Sequence, residues 1–94
     1  MYILRIEHQV PDFAAWKKAF DSDPVGREKS GVRRYRVLRA SDNANYIMID
    51  LEFDQAGQAE ALLAAMRGVW GRVEGTIMMS PQARIGEVVE TTEY

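Results

Sequence analysis

From Met1 to Gln9 the chain alternates, with Tyr2, Leu4, Ile6 and His8 falling on one face and Ile3, Arg5, Glu7 and Gln9 on the other. A period of two carried by aromatic and β-branched residues predicts a strand. Pro11 ends it, because proline has no N–H to give to a ladder. The period then changes. Asp12 stands where a helix N-cap belongs, and Phe13, Trp16, Ala19 and Phe20 follow at helical spacing. Lys17, Lys18 and Asp21 take the wet side of that helix. The pair Asp23-Pro24 breaks the pattern, a short helical piece over about Val25 to Ser30 follows, and Gly31 fits a C′ position.

Val32 to Arg39 is strand-like and strongly basic, and Ala40 to Asn45 has turn chemistry. Tyr46 to Phe53 alternates most cleanly, with Ile47, Ile49, Leu51 and Phe53 on one side and Tyr46, Met48, Asp50 and Glu52 on the other. Two such runs around a polar turn predict a hairpin. Asp54 then caps a second helix reaching Trp70, with Ala59, Leu62, Leu63, Met66 and Val69 or Trp70 as its apolar stripe. Gly57 and Gly68 weaken it, by roughly 1 kcal/mol each relative to alanine. Gly71 to Pro81 reads as a connection, Ala83 to Val89 as a last short strand, and Glu90 to Tyr94 as a polar tail.

This βαββαβ order is the split βαβ, or ferredoxin-like, pattern. Right-handed crossovers predict a four-stranded antiparallel sheet in the order 4-1-3-2, with both helices on one face. The class is α+β, expected as a single domain over residues 1–94. A chain of this size buries only roughly 60–65% of its unfolded surface, so its own core is thin and association with a second copy is an obvious supplement. The helix-free face points the same way. It carries Ile3, Arg5, Glu7, Tyr46, Met48, Asp50 and Glu52, plus Arg34 and Arg36 or Arg33 and Arg39 according to the phase of the second strand. That mixture suits either water or a second sheet.

Charge and composition narrow the chemistry. The net charge of −2 argues against nucleic acid, which usually needs a basic surplus. The absence of cysteine removes disulfides, thiolate chemistry and cysteine metal sites. One histidine and no D-x-D-x-D-G loop leave no metal site to expect. No dinucleotide, P-loop or G-x-S-x-G motif occurs, so no cofactor is expected. No apolar run approaches the roughly 20 residues of a membrane span. The N-terminus enters strand alternation without a signal-peptide pattern, which fits a cytoplasmic protein.

Each candidate site residue has two readings. His8 is the only side chain that titrates near neutrality in its ordinary state, and so suits acid–base catalysis or a ligand hydrogen bond. The structural reading is a strand-end histidine bonding the nearby turn or a carboxylate such as Asp12. Trp16, with Phe13 and Phe20, offers a stacking surface for an aromatic ligand or ordinary core packing. Tyr46 and Tyr35 offer hydroxyls to a phenol or quinone, or simply fill strand positions. Trp70 stands beside the connection, where it lines a pocket or packs. Met78 and Met79 close over such a pocket or bury against a partner. The arginines of the second strand split between two faces beside Asp50 and Glu52, which favours ion pairing over a phosphate site.

The segments HQVPDFAAWKKAFD, GVRRYRVLR and YIMIDLEFD, with the Ala/Leu-rich helix after them, resemble the dimeric α+β barrel superfamily over nearly the whole chain. They are most similar to small bacterial members with an H-x-V-x-D-[FY]-x-x-W-K start, which His8, Val10, Asp12, Phe13, Trp16 and Lys17 match. The resemblance implies a homodimer and a cavity between sheet and helices. The superfamily includes cofactor-free monooxygenases, polyketide cyclases, lactone isomerases, haem-degrading enzymes and stress-induced stability proteins. Haem degradation there uses a histidine on the second helix as iron ligand. Asp54 to Trp70 has none, so the resemblance does not carry that activity. Two functional expectations follow. One is a protein that binds a small apolar or aromatic molecule, with Trp16, Phe20, Tyr46 and Trp70 as its contacts, and without catalysis. The other is a cofactor-independent monooxygenase or cyclase-like enzyme using His8 for proton transfer in a desolvated pocket.

Overall fold

A computed structural model describes residues 1–73 and 78–94 of the chain. Its central strand is β1 (Tyr2–Gln9), which pairs antiparallel on both sides. The helix α1 (Phe13–Asp21), the hairpin of β2 (Arg34–Ala40) and β3 (Asn43–Phe53), the helix α2 (Ala56–Val73) and the strand β4 (Met79–Glu87) follow in that order. The strand order is β2-β3-β1-β4, the ferredoxin-like arrangement expected from the sequence. No described helix is long and apolar enough to cross a membrane.

Alternation sets the faces. Leu4 and Ile6 of β1 lie beside Leu51 and Ile49 of β3, and all four are buried with Phe53 and Ile47 under the helices. From α1, Trp16 and Phe20 come down onto this layer, and from α2 Ala59, Leu62 and Leu63 do the same. Asp12 caps α1 as expected, its extended backbone (φ −148°) letting the carboxylate accept the Ala14 N–H at 3.3 Å. The far face of the sheet is polar and internally paired. Arg5 donates from two nitrogens to Asp50 at 2.8 and 2.9 Å, and Arg34 pairs with Glu52 at 2.7 Å. The hydrogen bonds from Arg5 hold the Asp50 carboxyl below its ordinary value. The phase of β2 is thereby settled: Arg34 and Arg36 stand opposite Glu52 and Asp50.

Four local features depart from the sequence expectation. Asp54 does not cap α2; it lies two residues before the first helical residue, with Arg33 at 3.7 Å. The capping contact comes instead from Gln58, whose Oε1 accepts the Gln55 N–H at 3.1 Å, as the third helical residue does in half of a capping box. The helix α2 runs past Gly71 to Val73. Of the expected connection, 74–77 lie outside the described residues, and β4 begins already at Met79. Pro81 is tolerated inside β4 because that strand is an edge, and because the pairing slips between Glu7 and Gln9. The fourth departure is the Val25–Ser30 piece, which is a run of turns.

That run ends with the Val32 N–H bonding the Arg27 carbonyl at 3.1 Å and Gly31 at φ +101°. This is a Schellman-type close, and it requires the left-handed residue that glycine supplies. A Cβ at Gly31 would also come within 2.6 Å of Gln58 Nε2, displacing the side chain that caps α2. We expect Gly31→Ala to lower stability by more than about 1 kcal/mol in a urea titration. An unchanged midpoint would contradict the left-handed geometry.

Candidate functional site

Between the helix face of the sheet and the two helices lies a cavity of about 280 Å³. Its walls follow from the packing just described. The strands β1 and β3 supply Ile6, His8 and Ile49; α1 supplies Trp16 and Phe20; α2 supplies Met66 and Trp70. Met78, buried at the start of the chain's return to the sheet, closes another part of the wall. Trp16, Phe20 and Met66 line this space and leave it open. The surface is mainly apolar, which makes its few polar groups the informative ones.

His8 is the first of these. It is 1% exposed. Beside it β4 carries one more residue than β1 between paired positions, a bulge that contains Ser80 at φ +50°. The ring meets Trp16 edge-on, with centroids 5.6 Å apart. Nδ1 lies 3.3 Å from the carbonyl oxygen of Gln9. A carbonyl can only accept, so Nδ1 carries the proton and Nε2 presents a lone pair. Burial pushes the imidazole below its ordinary value, partly opposed by the Gln9 carbonyl, so the ring is neutral at pH 7. Nε2 is buried and has no hydrogen-bond partner among the described residues. An orphaned buried acceptor costs about 1–3 kcal/mol. The bond to Asp12 or to the turn that a structural histidine was expected to make is absent from Nε2; Asp12 serves the cap of α1.

Trp16 stacks on Phe20 with centroids 5.1 Å apart, and Phe13 leans on Trp16 at 5.9 Å. Of the five residues expected at the site, His8, Trp16, Phe20 and Trp70 line this one cavity. Tyr46 does not. It lies on the opposite face of the sheet, where its hydroxyl donates to Glu7 at 2.6 Å. Alternation along β3 puts it there, because Ile47 faces the helices. Tyr35 faces the helix side and meets Phe20 edge-on at 5.3 Å. Met79 pairs with Gln9 at the start of β4 and is partly exposed.

Several lining residues were missed in the sequence, Arg27 and Arg72 among them. Arg27, in the turns between α1 and β2, lines the cavity with a side chain only 12% exposed. Its Nη1 donates to the Phe20 carbonyl at 2.9 Å, and its guanidinium lies 3.9 Å from the centre of the Phe20 ring. The only sequence sign of this return toward α1 is Asp23, four residues earlier, which accepts the Arg27 backbone N–H at 2.9 Å.

No family model and no curated protein matches the chain. Solved structures do. A mutant of SnoaB, a cofactor-independent oxygenase from Streptomyces nogalater, superposes with a TM-score of 0.75 at 14% identity, over 96% of this chain and 94% of that one. A dimeric ferredoxin-like protein from an uncultured marine organism gives 0.67 at 12% identity, over 97% of each chain. A variant of MhuD, bearing two manganese protoporphyrin IX per active site, gives 0.72 at 16% identity over 100% of each. At such identities the likeness defines the fold. It is the ferredoxin-like α+β fold.

Proposed function

We propose that the protein binds a small aromatic molecule bearing a hydroxyl group in the cavity between sheet and helices, each chain acting as one half of a homodimer. The observation that carries this reading is the lone pair of His8 Nε2, buried in an apolar cavity without a donor among the described residues. A ligand hydroxyl supplies the missing donor. Trp16 and Phe20 line the cavity with aromatic surface for a ring to pack against. The cavity, at about 280 Å³, lies just below the roughly 300–1,000 Å³ typical of ligand pockets, which suits one or two fused rings. Pairing of two chains is supported by the helix-free sheet face, where Met48, Tyr46 and the Arg5–Asp50 pair mix apolar surface with charges of both signs.

A second reading makes the same pocket catalytic. A neutral, buried imidazole is poised to take a proton, and a neighbour in fold is a cofactor-independent oxygenase. The proton of a phenolic hydroxyl would pass to Nε2, leaving imidazolium and an electron-rich phenolate able to react with dioxygen. No cofactor enters either reading.

Naphthol tests both. A ligand of the native state alone raises apparent stability, by about 2.7 kcal/mol at a hundredfold excess over Kd. We expect a melting temperature several degrees higher with naphthol than without it. No shift and no heat of binding at millimolar naphthol would overturn the pocket reading. Oxygen uptake under the same conditions separates catalysis from binding. Light scattering at micromolar concentration should give the mass of two chains; the mass of one would remove the homodimer.

A further inference from the structure

We infer that the ligand of this cavity is an aromatic acid, with its hydroxyl at His8 and its carboxylate at the guanidinium of Arg27; this rests on the pocket reading above. A chain of ring contacts joins the two polar ends. His8 meets Trp16 edge-on at 5.6 Å, Trp16 stacks on Phe20 at 5.1 Å, and Phe20 carries the Arg27 guanidinium at 3.9 Å. Two aromatic side chains therefore separate a hydrogen-bond acceptor from a positive charge along one cavity. A flat ligand packed against the cavity-lining edges of Trp16 and Phe20 spans from one to the other.

Arg27 is underused by the protein. A guanidinium has five N–H donors in a planar fork. Among the described residues one carbonyl accepts from it, that of Phe20. Asp23 is the near carboxylate, yet its oxygen stands 3.6 Å from Nη1, and the same oxygen already accepts the Arg27 backbone N–H. The guanidinium carbon lies over the Phe20 ring at 3.9 Å and over the Tyr35 ring at 5.0 Å, and the N–H groups not used by the Phe20 carbonyl are left for an anion. A largely buried charge without an opposite charge at hydrogen-bond distance is costly. Arg72 also borders the cavity, and no aspartate or glutamate is among its described lining residues. The cavity is thus positive at one end and proton-accepting at the other. A carboxylate matches the fork with two parallel bonds, whereas a neutral ligand leaves the Asp23 carboxylate, at 3.6 Å, as the nearest opposite charge among the described residues.

The test is calorimetry with three probes: a hydroxynaphthoate, its methyl ester, and naphthol. The acid should bind at least about tenfold more tightly than the ester, the size of a charge-assisted pair. In Arg27→Gln the acid and the ester should come within about twofold of each other, since the discriminating charge is gone. Arg27→Lys keeps the charge and loses the fork, and should retain part of the preference. The ratio of acid to ester reports on recognition and is unmoved by a general loss of stability. Should Arg27→Gln fail to fold, the ratios in the unmodified protein and in Arg27→Lys decide. An ester equal to or tighter than the acid, with naphthol still binding, overturns the carboxylate inference and leaves the pocket standing. A preference that survives intact in Arg27→Gln overturns the role of Arg27. Binding of none of the three overturns both readings.

Discussion

Replacing His8 with phenylalanine is expected to raise the stability of the protein by about 1 kcal/mol at pH 7 while weakening naphthol binding by about tenfold or more. The two effects share one cause. Nε2 is a buried acceptor without a donor among the described residues, so its desolvation goes uncompensated by them in the free protein. A phenyl ring fills the same place beside Trp16 without that penalty, and it offers a ligand hydroxyl nothing. The dependence on pH sharpens the test. Burial lowers the His8 pKa from its ordinary 6.5, so the unfolded chain takes up its proton first as the solution is acidified. Above pH 6.5 both states are neutral and stability is at its full value; it is lost as the pH falls from there toward the folded-state pKa. The His8→Phe protein lacks this loss, so its advantage in urea titrations should widen between pH 7 and 5, a range set by the ordinary titration of histidine. A histidine whose Nε2 is satisfied within the protein predicts a loss of stability at pH 7 instead. A clear fall in stability at pH 7 on His8→Phe would sink the functional assignment.

Trp16→Ala is expected to act on the same cavity with the opposite sign, lowering stability by about 3–5 kcal/mol. Trp16 is buried, stacks on Phe20, meets His8 edge-on and supports Phe13. Its removal enlarges a cavity that already exists, and the surroundings have little means of closing it. Against a total of roughly 5–15 kcal/mol for a typical protein, such a loss brings unfolding close to ambient conditions. The midpoint of denaturation measures it, and Trp16→Phe, which keeps a ring, should lose much less. A cost below about 1 kcal/mol for Trp16→Ala would mean that α1 is not seated on the sheet through this residue. Together the two substitutions separate groups that hold the cavity from a group that the cavity holds at a cost.

The pairing of faces was readable from short stretches of chain. Alternation in β1 and β3 and helical spacing in α1 and α2 are local properties, and they specify which side chains go inward. The same alternation already excludes Tyr46 from a pocket under the helices, so its expected place among the ligand contacts conflicted with the reading of β3 itself. The cap of α1 at Asp12 was legible because only one residue competes for it. The cap of α2 was not. Asp54 and Gln58 both fit by type, and the choice depends on where the helix starts and on Arg33 from another strand. The early start of β4 was hidden by Pro81, whose tolerance depends on the strand being an edge with a bulge.

The sequence alone determined the βαββαβ order, the inward faces and the isolation of one histidine at the end of the first strand. These need only the periods of the pattern and the residue types at its breaks. Tertiary structure alone decided that Trp16, Phe20 and Trp70 leave an open space, that His8 Nε2 finds no donor among the described residues, and that Arg27 folds back onto Phe20. Whether a polar atom is satisfied, and whether packed rings leave a cavity, depends on residues distant in sequence that meet at one point. No local period records that meeting.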